Sequence, residues 1–105
     1  MQITRTYQGA EQTIKIDKPE IIVGRPNPFI QPDLSLAPDV TVSRTHARIF
    51  ERDGNYWIED LASKYGTLVN GTKQEVKRQL NPGDHIRIGE TDLKVRYPDD
   101  YVQPE

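Results

Sequence analysis

Apolar residues recur in this chain with a period of two, in short runs separated by turn-forming residues. Residues 2–7 and 12–16 alternate and are rich in β-branched types, with Ile14 and Ile16 on one face and Gln8-Gly9-Ala10 as the hairpin turn between the runs. Lys18-Pro19 breaks the pattern, and Ile21-Ile22-Val23 is a short, fully apolar strand. Three prolines in Pro26-Asn27-Pro28-Phe29-Ile30-Gln31-Pro32 exclude a central strand, because proline cannot donate to a ladder; this is a stiffened loop. Its Phe29 and Ile30 are expected either to plug the core, the favoured reading, or to belong to a recognition surface.

The second half repeats the pattern. A short edge strand is predicted around Leu34 and Leu36, and residues 47–52 alternate with Ala47 and Ile49 on one face. Asp53-Gly54 and Asn70-Gly71 are tight-hairpin signals, the first between runs 47–52 and 55–61, the second between 67–69 and 72–79. Pro82-Gly83-Asp84 and Gly89-Glu90 turn the chain on either side of Ile86 and Ile88, and Leu93, Val95 and Tyr97 share a face of the last run. Residues 98–105 are acidic, contain two prolines and lack periodicity, which predicts a flexible linker start or a frayed end. Ten or so short strands, turns every 8–12 residues and no sustained apolar 3.6 period describe an all-β sandwich or barrel over residues 1–97. Trp57 and Tyr56 are expected as core or rim aromatics.

Composition narrows the function. A chain of 105 residues makes one domain, and its 25 Leu, Ile, Val and Phe residues lie above the roughly 20% line below which disorder sets in. A formal charge of −2 argues against non-specific binding to nucleic acid or anionic membrane, which needs a clustered positive field. There is no cysteine, so disulfides and thiolate chemistry are excluded. The first residues lack the apolar core of a signal peptide, and no apolar run approaches the ~20 residues that span a bilayer; a cytoplasmic domain is expected.

Candidate chemistry gathers at strand ends. Val42-Ser43-Arg44-Thr45-His46-Ala47 and Leu61-Ala62-Ser63-Lys64-Tyr65-Gly66-Thr67 each offer hydroxyls and a cation where a strand meets a turn, and Gly24-Arg25 ends the apolar run before them. Hydroxyls, backbone N–H groups and a guanidinium fork are what a small, dense anion such as phosphate requires. Loops at one end of a sandwich collect together, so all three stretches are expected at one rim. Taken singly, Arg25 could be a surface ion pair, Ser43 a turn cap, Lys64 a solvated cation and Arg44 the partner of an acidic neighbour.

The ordered set Gly24-Arg25, Ser43-Arg44-Thr45-His46, Ser63-Lys64-Tyr65-Gly66-Thr67 and Asn70-Gly71, with Asp60-Leu61 and Gly83-Asp84 between and after, resembles a forkhead-associated (FHA) domain over about residues 21–97. The resemblance implies an FHA-like β-sandwich of eleven short, mostly antiparallel strands. It also implies a signalling module that binds phosphothreonine peptides through loops at one end, with no catalysis, cofactor or metal, and partners marked by a Ser/Thr protein kinase. Carried over position by position, Arg25 and Ser43 match the principal phosphate ligands, the Arg44 N–H adds a donor, and Lys64 adds a side-chain contact. Tyr65 and Thr67 complete the peptide-binding set, Tyr65 standing where the family has an asparagine that grips the peptide backbone. Gly24, His46, Gly66 and Asn70 are implied as structural support, His46 by bonding across the loop to hold Ser43.

Two other classes compete. A hydrolase using Ser43 or Ser63 needs an oriented base and an oxyanion site, yet Ser43 and His46 lie only three residues apart on a presumed loop in a small chain. A phosphate-independent interaction module on the same sandwich would use Tyr65, Phe29 and Ile30 as apolar anchors.

Overall fold

Tight turns set the first ladders. In the computed structural model, which describes residues 1–102, both central residues of the Asp53-Gly54 and Asn70-Gly71 turns have positive φ (54° and 79°, 51° and 83°). That left-handed pair matches the twist of the strands it joins and is open at low cost to Asp, Asn and Gly. Eleven strands result: β1 (Gln2–Tyr7), β2 (Ala10–Lys15), β3 (Glu20–Gly24), β4 (Leu34–Ser35), β5 (Ala47–Arg52), β6 (Asn55–Asp60), β7 (Thr67–Val69), β8 (Thr72–Lys73), β9 (Arg78–Gln79), β10 (Ile86–Ile88) and β11 (Thr91–Arg96).

They form two sheets, one ordered β2-β1-β11-β10-β7-β8 and the other β4-β3-β5-β6-β9. Every pairing is antiparallel except β3 with β4. Alternation along the strands points Ile3, Ile86, Ile88, Leu93 and Val95 of one sheet at Ile21, Val23, Ile49 and Ile58 of the other, all buried. Each such side chain contributes about 1.5–3 kcal/mol on leaving water. Ile14 and Ile16 pack on the edge of this core. Tyr97 ties the sheets together: its hydroxyl accepts the Tyr56 N–H (2.8 Å) and donates to the Leu80 carbonyl (2.5 Å). Tyr56 is in the core, whereas Trp57 is half-buried on the outer face, stacked on Phe50. Among the described residues no helix is long and apolar enough to cross a membrane.

The structure corrects two expectations. Residues 72–79 are not one strand: β8 ends the first sheet, β9 ends the second, and residues 74–77 cross between them. This stretch has no apolar alternation to bury, its Val76 being exposed, so nothing keeps it in one ladder. Phe29 is no plug; it is 93% exposed, and Ile30 is 45% exposed. The core is closed instead by Leu34 and Leu36. Beyond β11, the Tyr101 ring packs on Tyr97 (4.0 Å between centroids) and its hydroxyl donates to Asn55 Oδ1 (2.5 Å). Residues 103–105 of the expected tail lie outside the described residues.

Register decides what sits at each end of the sandwich. Val23 pairs with Ala47 and Ala47 with Asp60, so β3 ends, β5 begins and β6 ends at one level. On the other sheet Thr67 pairs with Ile88, bringing the start of β7 to the end of β10. Hydrogen bonds from Leu61 N–H to His46 and between His46 and Gly66 join the two sets, so the loops after Gly24, before Ala47, after Asp60 and before Thr67 share one rim.

Candidate functional site

Gly24 permits the first close approach. A Cβ here would stand 1.9 Å from the Arg44 carbonyl oxygen and 2.8 Å from its carbon, both backbone atoms that cannot swing aside. With only hydrogen in that place, residues 43–44 cross over the end of β3. The Arg25 N–H donates to the Ser43 carbonyl (3.1 Å), and Arg25 Nε donates to the Val42 carbonyl (3.0 Å). This aims the half-buried guanidinium, whose two terminal nitrogens have no ion-pair or hydrogen-bond partner among the described residues.

His46 is fully buried and fastens the second loop to the first. Its Nδ1 accepts the Ser43 N–H (3.0 Å), so that nitrogen carries a lone pair, and its Nε2 therefore bears the proton and donates to the Gly66 carbonyl (2.9 Å). The Lys64 N–H donates to Ser43 Oγ (3.0 Å), which leaves the Ser43 hydroxyl proton without an acceptor. The Arg44 N–H is likewise unpaired, and its exposed side chain makes no ion pair among the described residues. Arg25, Val40, Thr41, Ser43, Lys64 and Tyr65, with Val42, line an open groove of about 320 Å³. Among the described residues no carboxylate lines it. Lys64 Nζ lies 5.3 Å from the centre of the Tyr65 ring, and Tyr65 is 61% exposed.

Two carboxylates that sequence reasoning left out of the site organise it. Asp60 accepts hydrogen bonds from the Ser63 hydroxyl (2.5 Å), the Ser63 N–H (3.1 Å) and the Thr67 hydroxyl (2.8 Å), shaping residues 61–66. Burial would raise the Asp60 carboxyl, but these bonds outweigh it and hold it below the ordinary carboxylate range. Asp39, fully buried, accepts from the Thr41 N–H (3.0 Å) and hydroxyl (2.5 Å), the Glu90 N–H (2.8 Å) and the Thr91 hydroxyl (2.7 Å). It is likewise held low against the opposing effect of burial, and it pins residues 39–42 to the turn between β10 and β11. The signals were present as Asp-x-Thr and Asp-x-x-Ser, spacings at which a carboxylate caps its own turn.

The residues singled out from sequence thus divide. Arg25, Ser43, Lys64 and Tyr65 come together in the groove, whereas Arg44, next to Ser43 in the chain, does not line it. Thr67 does not belong with the ligand-facing set: it is fully buried with its hydroxyl on Asp60, because it opens a strand and points inward. Gly66 supports the site, accepting from His46 while its N–H donates to Ser63 Oγ (2.9 Å). Asn70 lies at the other end of β7, where its amide donates to Asp84 (2.9 Å) and its carbonyl oxygen accepts the His85 N–H (2.9 Å). It holds that strand from the far side and touches none of the groove.

The chain is thus a two-sheet β-sandwich that presents an open polar groove built from its end loops. The sequence profile of the FHA domain family matches residues 21–89, and the chain belongs to that family. It is similar to Protein FraH of Nostoc sp., with 33% identity over 101 residues covering 88% of this chain and 35% of that protein. It is similar also to an oxoglutarate dehydrogenase inhibitor of Corynebacterium diphtheriae, with 33% identity covering 85% of this chain and 59% of that one. The chain therefore spans about a third to three fifths of the length of these curated relatives. A solved structure from a structural and functional study of phosphothreonine-dependent FHA domain interactions superposes with a TM-score of 0.69 at 28% identity, covering all of both chains.

Proposed function

We propose that this domain binds phosphothreonine segments of partner proteins in the groove formed by Arg25, Ser43 and Lys64, as a signalling module without catalytic activity. The reading is carried by one observation: the Arg25 terminal nitrogens and the Ser43 hydroxyl proton are donors without acceptors in a groove that, among the described residues, no carboxylate lines. A phosphothreonine brings about −1.5 to −2 charges and three acceptor oxygens, and so matches that set in both charge and hydrogen-bonding sense. Family membership and the phosphothreonine dependence of the structurally similar domain support the same reading. The groove offers no base to a nucleophile: the His46 Nδ1 is taken by the Ser43 N–H, and its Nε2 faces Gly66. Partners phosphorylated by a Ser/Thr kinase in the cytoplasm fit this reading.

Calorimetric titration of one peptide in phosphorylated and unphosphorylated forms tests it. Binding confined to the phosphorylated form, weakened in Arg25→Ala by about 2–4 kcal/mol as for a charged pair truncated on one side, is the expected result. Equal binding of both forms would establish instead a phosphate-independent module, for which the exposed Tyr65 is the natural anchor.

A further inference from the structure

One sheet edge is built differently from the other three. β8, β4 and β9, which end the sheets elsewhere, have two residues each, whereas the edge strand β2 has six. Sheets protect long edges with prolines, bulges or inward-pointing charges. β2 contains no proline, its register with β1 is unbroken from Ala10 to Lys15, and five of its six residues are exposed. Its only charges are Glu11 and Lys15.

The register fixes which groups face outward. The Gln8-Gly9 turn (φ 49° and 78°) closes β1 on β2, and at the other end the Ile16 N–H donates to the Met1 carbonyl (2.8 Å). Antiparallel ladders alternate, so Ala10, Gln12, Ile14 and Ile16 bond to β1, while the N–H and C=O groups of Glu11, Thr13 and Lys15 point away from it. Nothing among the described residues pairs with them. The side chains of the same three residues share the outer face of the sheet, opposite Ile14, which packs on the core. Thr13 is tied to Thr4 through their hydroxyls (3.0 Å), whereas Glu11 and Lys15 have no ion-pair partner among the described residues.

A second copy of β2, run antiparallel about a two-fold axis through Thr13, complements this edge. Thr13 then lies opposite Thr13, and Glu11 of each copy lies opposite Lys15 of the other, at the Cβ separation of about 4.5–5.5 Å where cross-strand pairs interact. These are the three positions whose backbone groups face out, so the hydrogen bonds and both ion pairs form in the same register. A slide of two residues breaks both ion pairs, and a slide of four sets like charges against each other.

We propose that the chain forms a two-fold dimer by pairing β2 with β2 of a second copy, joining the two six-stranded sheets into one. The dimer does not depend on what the groove binds. Tyr7, beside the hairpin turn, pairs with Thr91 at the rim end of β11, so antiparallel pairing points the two grooves in opposite directions. Six residues a side is far fewer than the roughly 20–30 of a standard interface, so the dimer is weak and its population follows concentration.

Sedimentation velocity of wild type from about 10 µM to 1 mM, the range in which a small interface associates, tests it. The mass should rise from 12.1 kDa toward twice that value, and amide exchange should slow at Glu11, Thr13 and Lys15 over the same range. Thr13→Pro removes an outward N–H and none bonded to β1, so it should fold and stay monomeric. Glu11→Lys and Lys15→Glu each set like charges opposite one another at both pairs, and each should weaken the dimer at least about tenfold. Both positions are exposed, so the core is untouched. An equimolar mixture of these two variants restores opposite charges at both pairs and should associate as wild type does. Wild type that stays monomeric to the top of the range, a dimer indifferent to these substitutions, or a mixture no more associated than its components would overturn the proposal.

Discussion

Replacing His46 tests most directly how the rim is held together. The ring is fully buried and satisfies two groups of different loops, the Ser43 N–H and the Gly66 carbonyl. A buried group deprived of its partner costs about 1–3 kcal/mol, so His46→Phe, which fills the space without bonding, should lose about 3–5 kcal/mol. A domain of this size has about 5–15 kcal/mol in total, and at roughly 4–8 °C per kcal/mol the melting temperature should fall by about 12–40 °C. His46→Asn separates the two bonds. Its Oδ1 stands near the place of Nδ1 and can still accept the Ser43 N–H, but its amide is too short to reach Gly66. Differential scanning calorimetry should therefore rank wild type above Asn and Asn above Phe, while phosphopeptide titration should show affinity in the Asn protein closer to wild type than its stability is. A His46→Phe protein melting within about 3 °C of wild type would refute the account, since neither bond could then be worth a buried hydrogen bond.

Gly24→Ala should cost at least about 1–3 kcal/mol and most of the peptide affinity, because the added carbon meets the Arg44 carbonyl and must push residues 43–44 off β3; denaturant melts with titration check both. Asp60 has a folded pKa below its unfolded value, so its contribution is present above about pH 4 and lost as pH falls through the folded value. Asp60→Asn should accordingly be about 1–3 kcal/mol less stable at pH 7 and lose less than wild type on acidification, as urea melts across pH would show. Burial raises the Tyr97 hydroxyl to about 12, so wild-type stability should fall between about pH 10 and 12 as the unfolded phenol ionises first; Tyr97→Phe should lack that component and be about 2–4 kcal/mol less stable at neutral pH. Tyr65→Asn, which supplies a donor and an acceptor where the phenol ring now stands, should strengthen binding across a mixed phosphothreonine library by about 5- to 150-fold, and no general gain would show that Tyr65 is not the limiting feature.

By itself the sequence determined what short-range sterics and alternation control. Asp53-Gly54 and Asn70-Gly71 turn wherever they are placed, since their positive φ values are a local preference. Period-two apolar runs, once turned, have only one face to bury, which is why Ile86, Ile88, Leu93, Val95 and Tyr97 all face inward as the pattern predicts. Gly24-Arg25, Ser43, His46 and Lys64 were legible through the resemblance of their ordered set to the FHA pattern, which the loops between strands carry. Tertiary structure decided what depends on partners distant in the chain. Residues 72–79 contribute two-residue strands to different sheets, a division set by the vacant edges of β7 and β6 rather than by their own composition. Phe29 stands outward on its loop, while Leu34 and Leu36 are the residues of this part of the chain that enter the core. Thr67 turned inward, and Asp39 and Asp60 became the clasps of the rim, because a buried carboxylate is stable only where donors from several segments converge on it, and that convergence exists only once the two sheets have closed.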